Sequence, residues 1–94
     1  MTINEIIWLD AVVDKLASKH GVDTDEVEEA FNNEPRFRFV EKGRREGEDV
    51  YMASGQTDAG RYLTILFIHK ANDDALILSA RDMAPWERKR HERK

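Results

Sequence analysis

The feature that most constrains this chain is a change of period at Pro35. Ahead of it, apolar residues recur at helical spacing; behind it, they alternate. Leu9, Val12, Val13, Leu16 and Ala17 form one stripe of a helix, and Gly21, which takes left-handed backbone without penalty, ends that helix near His20. Val22 and Asp23 open a second helix. Asp23 caps it, Glu26 reaches back to the Asp23 amide, and Val22 packs on Val27 as a hydrophobic staple. Val27, Ala30 and Phe31 face inward. Pro35 cannot continue helical geometry and pushes Glu34 toward extended backbone, so the helix closes near Asn33.

Arg36, Phe37, Arg38 and Phe39 then alternate, with both phenylalanines on the core face of a strand and both arginines on the other. Gly43 to Gly47 is a charged loop, Asp49 to Ser54 a second strand, and Gly55 to Gly60 a turn. Tyr62 to Ile68 is nearly all apolar, as in a central strand covered on both faces, and Leu76 to Leu78 repeat the pattern after a turn from Ala71 to Asp74. Pro85 starts a short helix whose one large apolar anchor is Trp86. Ile3 to Trp8 reads either as an added edge strand or as a lead-in. The expectation is a single α+β domain over residues 1–94. It has two N-terminal helices, a four-stranded antiparallel sheet with room for an N-terminal edge strand, and a short C-terminal helix.

A chain of 94 residues buries roughly two-thirds of its unfolded surface, enough for one core without staples. The absence of cysteine excludes a disulfide framework and a thiolate metal site. The opening MTINEIIWLD has no basic leader, and the longest apolar run falls far short of the ~20 residues that span a bilayer, so a cytoplasmic location is expected. The net charge of -4 hides an asymmetry. The first 34 residues carry two lysines against nine acidic side chains, residues 35–80 are balanced, and residues 81–94 carry six basic against three acidic. A surface for a polyanion would therefore come from the sheet and the tail, with the acidic helices turned away.

His20, His69 and His91 are far apart and form no ligand-spaced pair, so no metal and no cofactor is expected. There is no phosphate-cradling glycine loop and no Gly-x-Ser-x-Gly elbow. What remains is a set of cations: Lys19 and His20 at a helix end, Arg36 and Arg38 on a strand, Arg44 and Arg45 in a loop, Arg61 opening a strand and Arg81 closing one. That inventory suits phosphate, although each charge has a plain reading as a solvated or paired surface group.

Several local sequences carry a resemblance. Lys19-His20-Gly21-Val22 precedes an acidic helix ending in Phe31. Gly47-Glu48 and Gly60-Arg61-Tyr62-Leu63 follow, then Ser79-Ala80-Arg81 with Glu87-Arg88 after it. In order and spacing these resemble the BrnT family of toxins over nearly the whole chain. The resemblance implies a fold similar to RelE-type ribonucleases and RNA cleavage without a metal. It also implies inhibition by an antitoxin of the BrnA kind, with contact to operator DNA only through that complex. Attack of a ribose 2′-hydroxyl on the adjacent phosphate needs a base, cations for the developing charge and an acid for the leaving oxygen. On the resemblance, His20 or Glu48 are the candidates for proton transfer and Arg61 and Arg81 for holding phosphate. Lys19, Arg36, Arg38, Arg44 and Arg45 are the flanking RNA contacts. The sequence departs from the family pattern at Asp49, Gln56 and Ile77, where members commonly carry cations, at Ala84, where they carry threonine, and at His91, where they carry tyrosine. The alternative reading is accordingly a weak or inactive relative that binds its partner. A direct DNA-binding role for Arg88 to Lys94 lacks a recognition-helix pair.

Overall fold

The computed structural model describes residues 1–93; Lys94, the end of the basic tail, lies outside them. A strand β1 (Ile6–Ile7) leads into helix α1 (Asp10–Lys15), which widens into a π-helical turn over Leu16–His20 before Gly21 ends it in left-handed backbone, φ 60°. Helix α2 (Thr24–Asn32) starts at the expected box. The Asp23 carboxylate accepts from the Glu26 amide at 2.9 Å, and the Glu26 carboxylate accepts from the Asp23 amide at 3.2 Å. Strands β2 (Arg36–Glu41), β3 (Asp49–Gln56), β4 (Tyr62–His69) and β5 (Ala75–Asp82) follow, and α3 (Pro85–Glu92) closes the chain with Pro85 in its first turn.

The sheet is five-stranded and mixed, in the order β1-β5-β4-β3-β2. Strands β2 to β5 form the expected antiparallel sheet, connected as a meander, whereas β1 lies parallel to β5, with Ile6 opposite Ala75 and Ile7 opposite Leu76. The N-terminal edge strand that the sequence left open is thus present, and its parallel pairing corrects the expectation of a four-stranded, wholly antiparallel sheet. A two-residue strand leaves no alternation to read, and its parallel partner lies far along the chain.

The core fills the space between α1, α2 and one sheet face. Leu16, Val22, Val27 and Ala30 from the helical side meet Ala53, Leu63, Ile65, Phe67, Ile77 and Ala80 from the strands, all essentially without solvent exposure. Phe31 and Phe37 lie edge-on or tilted to one another and to Phe67 at centroid distances of 5.4 to 6.2 Å. Phe39 points to the same face but is 51% exposed and touches Tyr51 instead. It sits on the outer strand, where α2 no longer covers the sheet. Glu34, expected in extended backbone, takes left-handed geometry at φ 51°, because the chain must reverse just past the helix end.

The second face is covered only in part. Central strand β4 buries Leu63, Thr64, Ile65 and Phe67, while Leu66 and Ile68, on the face away from the N-terminal helices, stay half-exposed. Helix α3 lies over the Tyr62 end of this face, but Trp86 does not anchor it: that indole is 60% exposed. Polar and aromatic contacts around Glu87, Arg88 and His91 hold the helix down instead.

Candidate nucleic-acid interface under the C-terminal helix

Strand register sets up a polar row on the α3 side of the sheet. Arg36 pairs with Ser54, Ser54 with Thr64, and Thr64 with Arg81, so two arginines bracket two hydroxyls across four strands. The next row on that face starts with Arg38 opposite Met52. Helix α3 supplies the other wall, and a shallow cleft opens between them, lined by Arg36, Arg38, Ser54, Trp86, Arg90 and His91.

Glu87 fixes the helix to this row. Its carboxylate accepts from Arg81 Nη1 at 2.6 Å and Nη2 at 3.1 Å, from the Ala84 amide at 2.8 Å and from the Thr64 hydroxyl at 3.4 Å. With a side chain only 9% exposed, Glu87 is held ionised, its pKa lowered first by the hydrogen bond from Arg81; the Arg81 pKa is raised reciprocally. Arg88 lies over the Tyr62 ring at 4.3 Å, and the His91 ring meets the same tyrosine edge-on at 5.9 Å. Burial, and then the charge of Arg36, lower the His91 pKa below its ordinary value, which favours the neutral ring.

A second cluster sits on the opposite face. Arg61 donates to both Asp82 oxygens at 2.7 and 3.3 Å, to Glu26 at 3.1 Å and to the carbonyls of Gly21 and His20 at 2.8 and 3.1 Å. The guanidinium thus ties the end of the π-helical turn to α2 and to the end of β5. Lys19 and His20 belong to this rim. Arg81 and Arg61 are therefore not neighbours in one site, because successive residues Arg81 and Asp82 point to opposite faces of β5.

Glu48, Arg44 and Arg45 form a third group in the β2–β3 loop. Asp49 pairs with His69 while Thr64 pairs with Arg81, which puts the loop roughly 17 Å from Arg81 along the strands, at about 3.3 Å per residue. Asp49 closes the loop by accepting from the Gly43 amide at 2.9 Å. Gln56 likewise has local work, donating to the Gly60 carbonyl across the β3–β4 turn at 3.1 Å, and Ile77 is fully buried in the core.

Sequence reasoning noted Glu87 and His91 without placing them beside Arg36 and Ser54. Their spacing of four residues on a helix was the available signal: it puts both on one face. Among the described residues, no group of three or more histidine, aspartate or glutamate side chains is placed to hold a metal ion. No described helix is long and apolar enough to cross a membrane.

The family model described as "Ribonuclease toxin, BrnT, of type II toxin-antitoxin system" covers residues 8–87. No curated protein matches the chain.

Proposed function

The chain belongs to the BrnT family of ribonuclease toxins of type II toxin–antitoxin systems, and from that premise we propose that it is a metal-independent endoribonuclease whose RNA site is the cleft under α3. The observation that carries this reading is the row Arg36–Ser54–Thr64–Arg81 with Arg38 and Arg90 beside it, on the face turned away from the acidic N-terminal helices. Arg36, Arg38 and Arg81 hold the phosphoryl oxygens as charge develops on them. Arg44 and Arg45, in the loop at the far end of the strands, flank a longer strand of RNA, while Lys19 stays on the rim of the opposite face. The antiparallel meander with its N-terminal helices on one face supports reading the fold as RelE-like. RNA cleavage would block translation in the cytoplasm. A BrnA-like antitoxin would neutralise the toxin by covering the cationic face, and operator DNA would be met through that complex.

One observation favours a second reading. Arg81 is already paired with Glu87 at 2.6 Å and Arg61 with Asp82 and Glu26, so phosphate must share or displace a carboxylate. A catalytically weak protein that serves as a partner-binding module fits that pairing. Growth and bulk translation after induced expression of wild type and Arg81→Ala separate the two. Arrest by wild type, relieved in an equally abundant folded variant, supports the ribonuclease; no arrest by either, with antitoxin binding retained, supports the module.

A further inference from the structure

We infer that His91 is the group in the α3 cleft that takes the 2′-hydroxyl proton, a role that rests on the ribonuclease reading above. His91 lies beyond the residues covered by the family match, on the last turn of α3, where its ring lines both the cationic cleft and the polar groove formed with Asn33, Gln56 and Asp58. Its Nδ1 is buried with no hydrogen-bond partner among the described residues. That leaves Nε2 as the nitrogen available to a ligand.

The other two histidines, Glu87 and Glu48 are placed otherwise. Glu87 is held ionised by Arg81, Ala84 and Thr64. His69 Nε2 is 2.9 Å from Asp73 Oδ1 at the far end of β4. His20 belongs to the Arg61 rim on the other side of the sheet, and Glu48 to the distant loop. Among the described residues, His91 is the histidine that lines the cleft together with Arg36, Arg38 and Arg90.

The groups that face it set its state. Arg36 of β2 opposes protonation, Glu92 of α3 favours it, and burial against Tyr62 of β4 disfavours the charged ring most. Arg38, Arg90 and Glu87 complete the cleft wall, Arg88 lies over the Tyr62 ring that His91 also meets, and Asp58 lines the groove. The balance leaves a neutral base at neutral pH, as the step requires. In that step the 2′-oxygen forms its bond to phosphorus as His91 takes the hydroxyl proton, and the bond from phosphorus to the 5′-oxygen breaks. The departing oxygen takes a proton from water, whose hydroxide is neutralised by the His91 imidazolium. The products are a 2′,3′-cyclic phosphate and a 5′-hydroxyl end.

The test is single-turnover cleavage of messenger RNA held on purified ribosomes, from about pH 5.5 to about pH 8, by wild type, His91→Gln and His91→Ala, with thermal midpoints measured alongside. Removal of a general base is expected to slow cleavage by roughly 10²-fold or more and to abolish the acidic limb of the wild-type pH profile, which falls below the ordinary histidine value. Wild-type cleavage with His91→Gln within about threefold and the same acidic limb overturns the inference while leaving the ribonuclease reading intact. A wild type that cuts nothing overturns both. Should both variants fail to fold, the His91 imidazole is titrated by NMR in wild type with and without a 2′-O-methylated RNA trinucleotide. A shifted titration supports the role, and an unchanged one overturns it.

Discussion

Four donors converge on the Glu87 carboxylate, two of them from one guanidinium. Replacing it with glutamine keeps the shape but removes the charge that Arg81 and the Ala84 amide address. Hydrogen bonds to charged groups contribute about 1.5–3 kcal/mol, so Glu87→Gln is expected to lower stability by roughly 2–3 kcal/mol in urea unfolding. The pH dependence has a definite sign. Glu87 and Asp82 have folded pKa values below their ordinary 4.5 and 3.8. Their stabilisation is therefore fully present above those values and lost as pH falls through the lower folded ones. His91, with its folded pKa below 6.5, removes stability earlier, as pH falls through that ordinary value. The wild-type thermal midpoint should decline in two stages on acidification, and Glu87→Gln should flatten the lower stage. Residue chemistry of this kind was partly legible. A cap such as Asp23 with Glu26 is local and shows in four letters, whereas Arg61 and Arg81 look alike in sequence. Only the pleat of β5 and the placement of Asp82 turn one of them into a fastener between helix end and sheet.

Among the elements, α2 and β3 approach most closely where a side chain is missing. A Cβ on Gly55 would sit 2.8 Å from the Ala30 carbonyl oxygen and 3.2 Å from the Ala30 methyl. Gly55→Ala must therefore push the helix off the strand, at a cost of about 1–3 kcal/mol typical of overpacking, read as a lower urea midpoint with unchanged slope. Element types were readable where a period ran for several residues, as in α2, β3 and β4. They were obscured where pairing is non-local or interrupted. Strand β1 is two residues long, and the irregularity at Leu78 lets Ile77 pair with Phe67 and Ser79 with Leu66. Without that extra residue, strict alternation from Ile77 would turn Arg81 toward the helices. The bulge delivers it to the α3 side. Helix α3 shows the same limit from another direction, since its anchors are a carboxylate, an arginine and a histidine that pattern reasoning assigns to solvent.

Across the whole molecule, charge is divided by the sheet. Acidic α2, with its Asp25, Glu26, Glu28 and Glu29, packs on one face, while Arg36, Arg38, Arg81 and Arg90 gather on the other. A chain with a net charge of -4 thereby presents a local cationic surface, which net charge alone conceals. The asymmetry along the sequence foreshadowed this division, but the cleft itself needs β2, β5 and α3 brought together from widely separated positions. Arg36 tests the account most directly, because its side chain is exposed and lies on the outer strand, so its removal leaves the core unchanged. The measurement is the single-turnover rate of cleavage of ribosome-bound messenger RNA by Arg36→Ala beside wild type, with equal thermal midpoints confirmed. Loss of one charge-assisted phosphate contact, about 1.5–3 kcal/mol, predicts a rate lower by roughly 10- to 100-fold. A variant that cuts as fast as wild type, or a wild type that does not cut, would contradict the assignment of the cleft under α3 as the site of RNA cleavage.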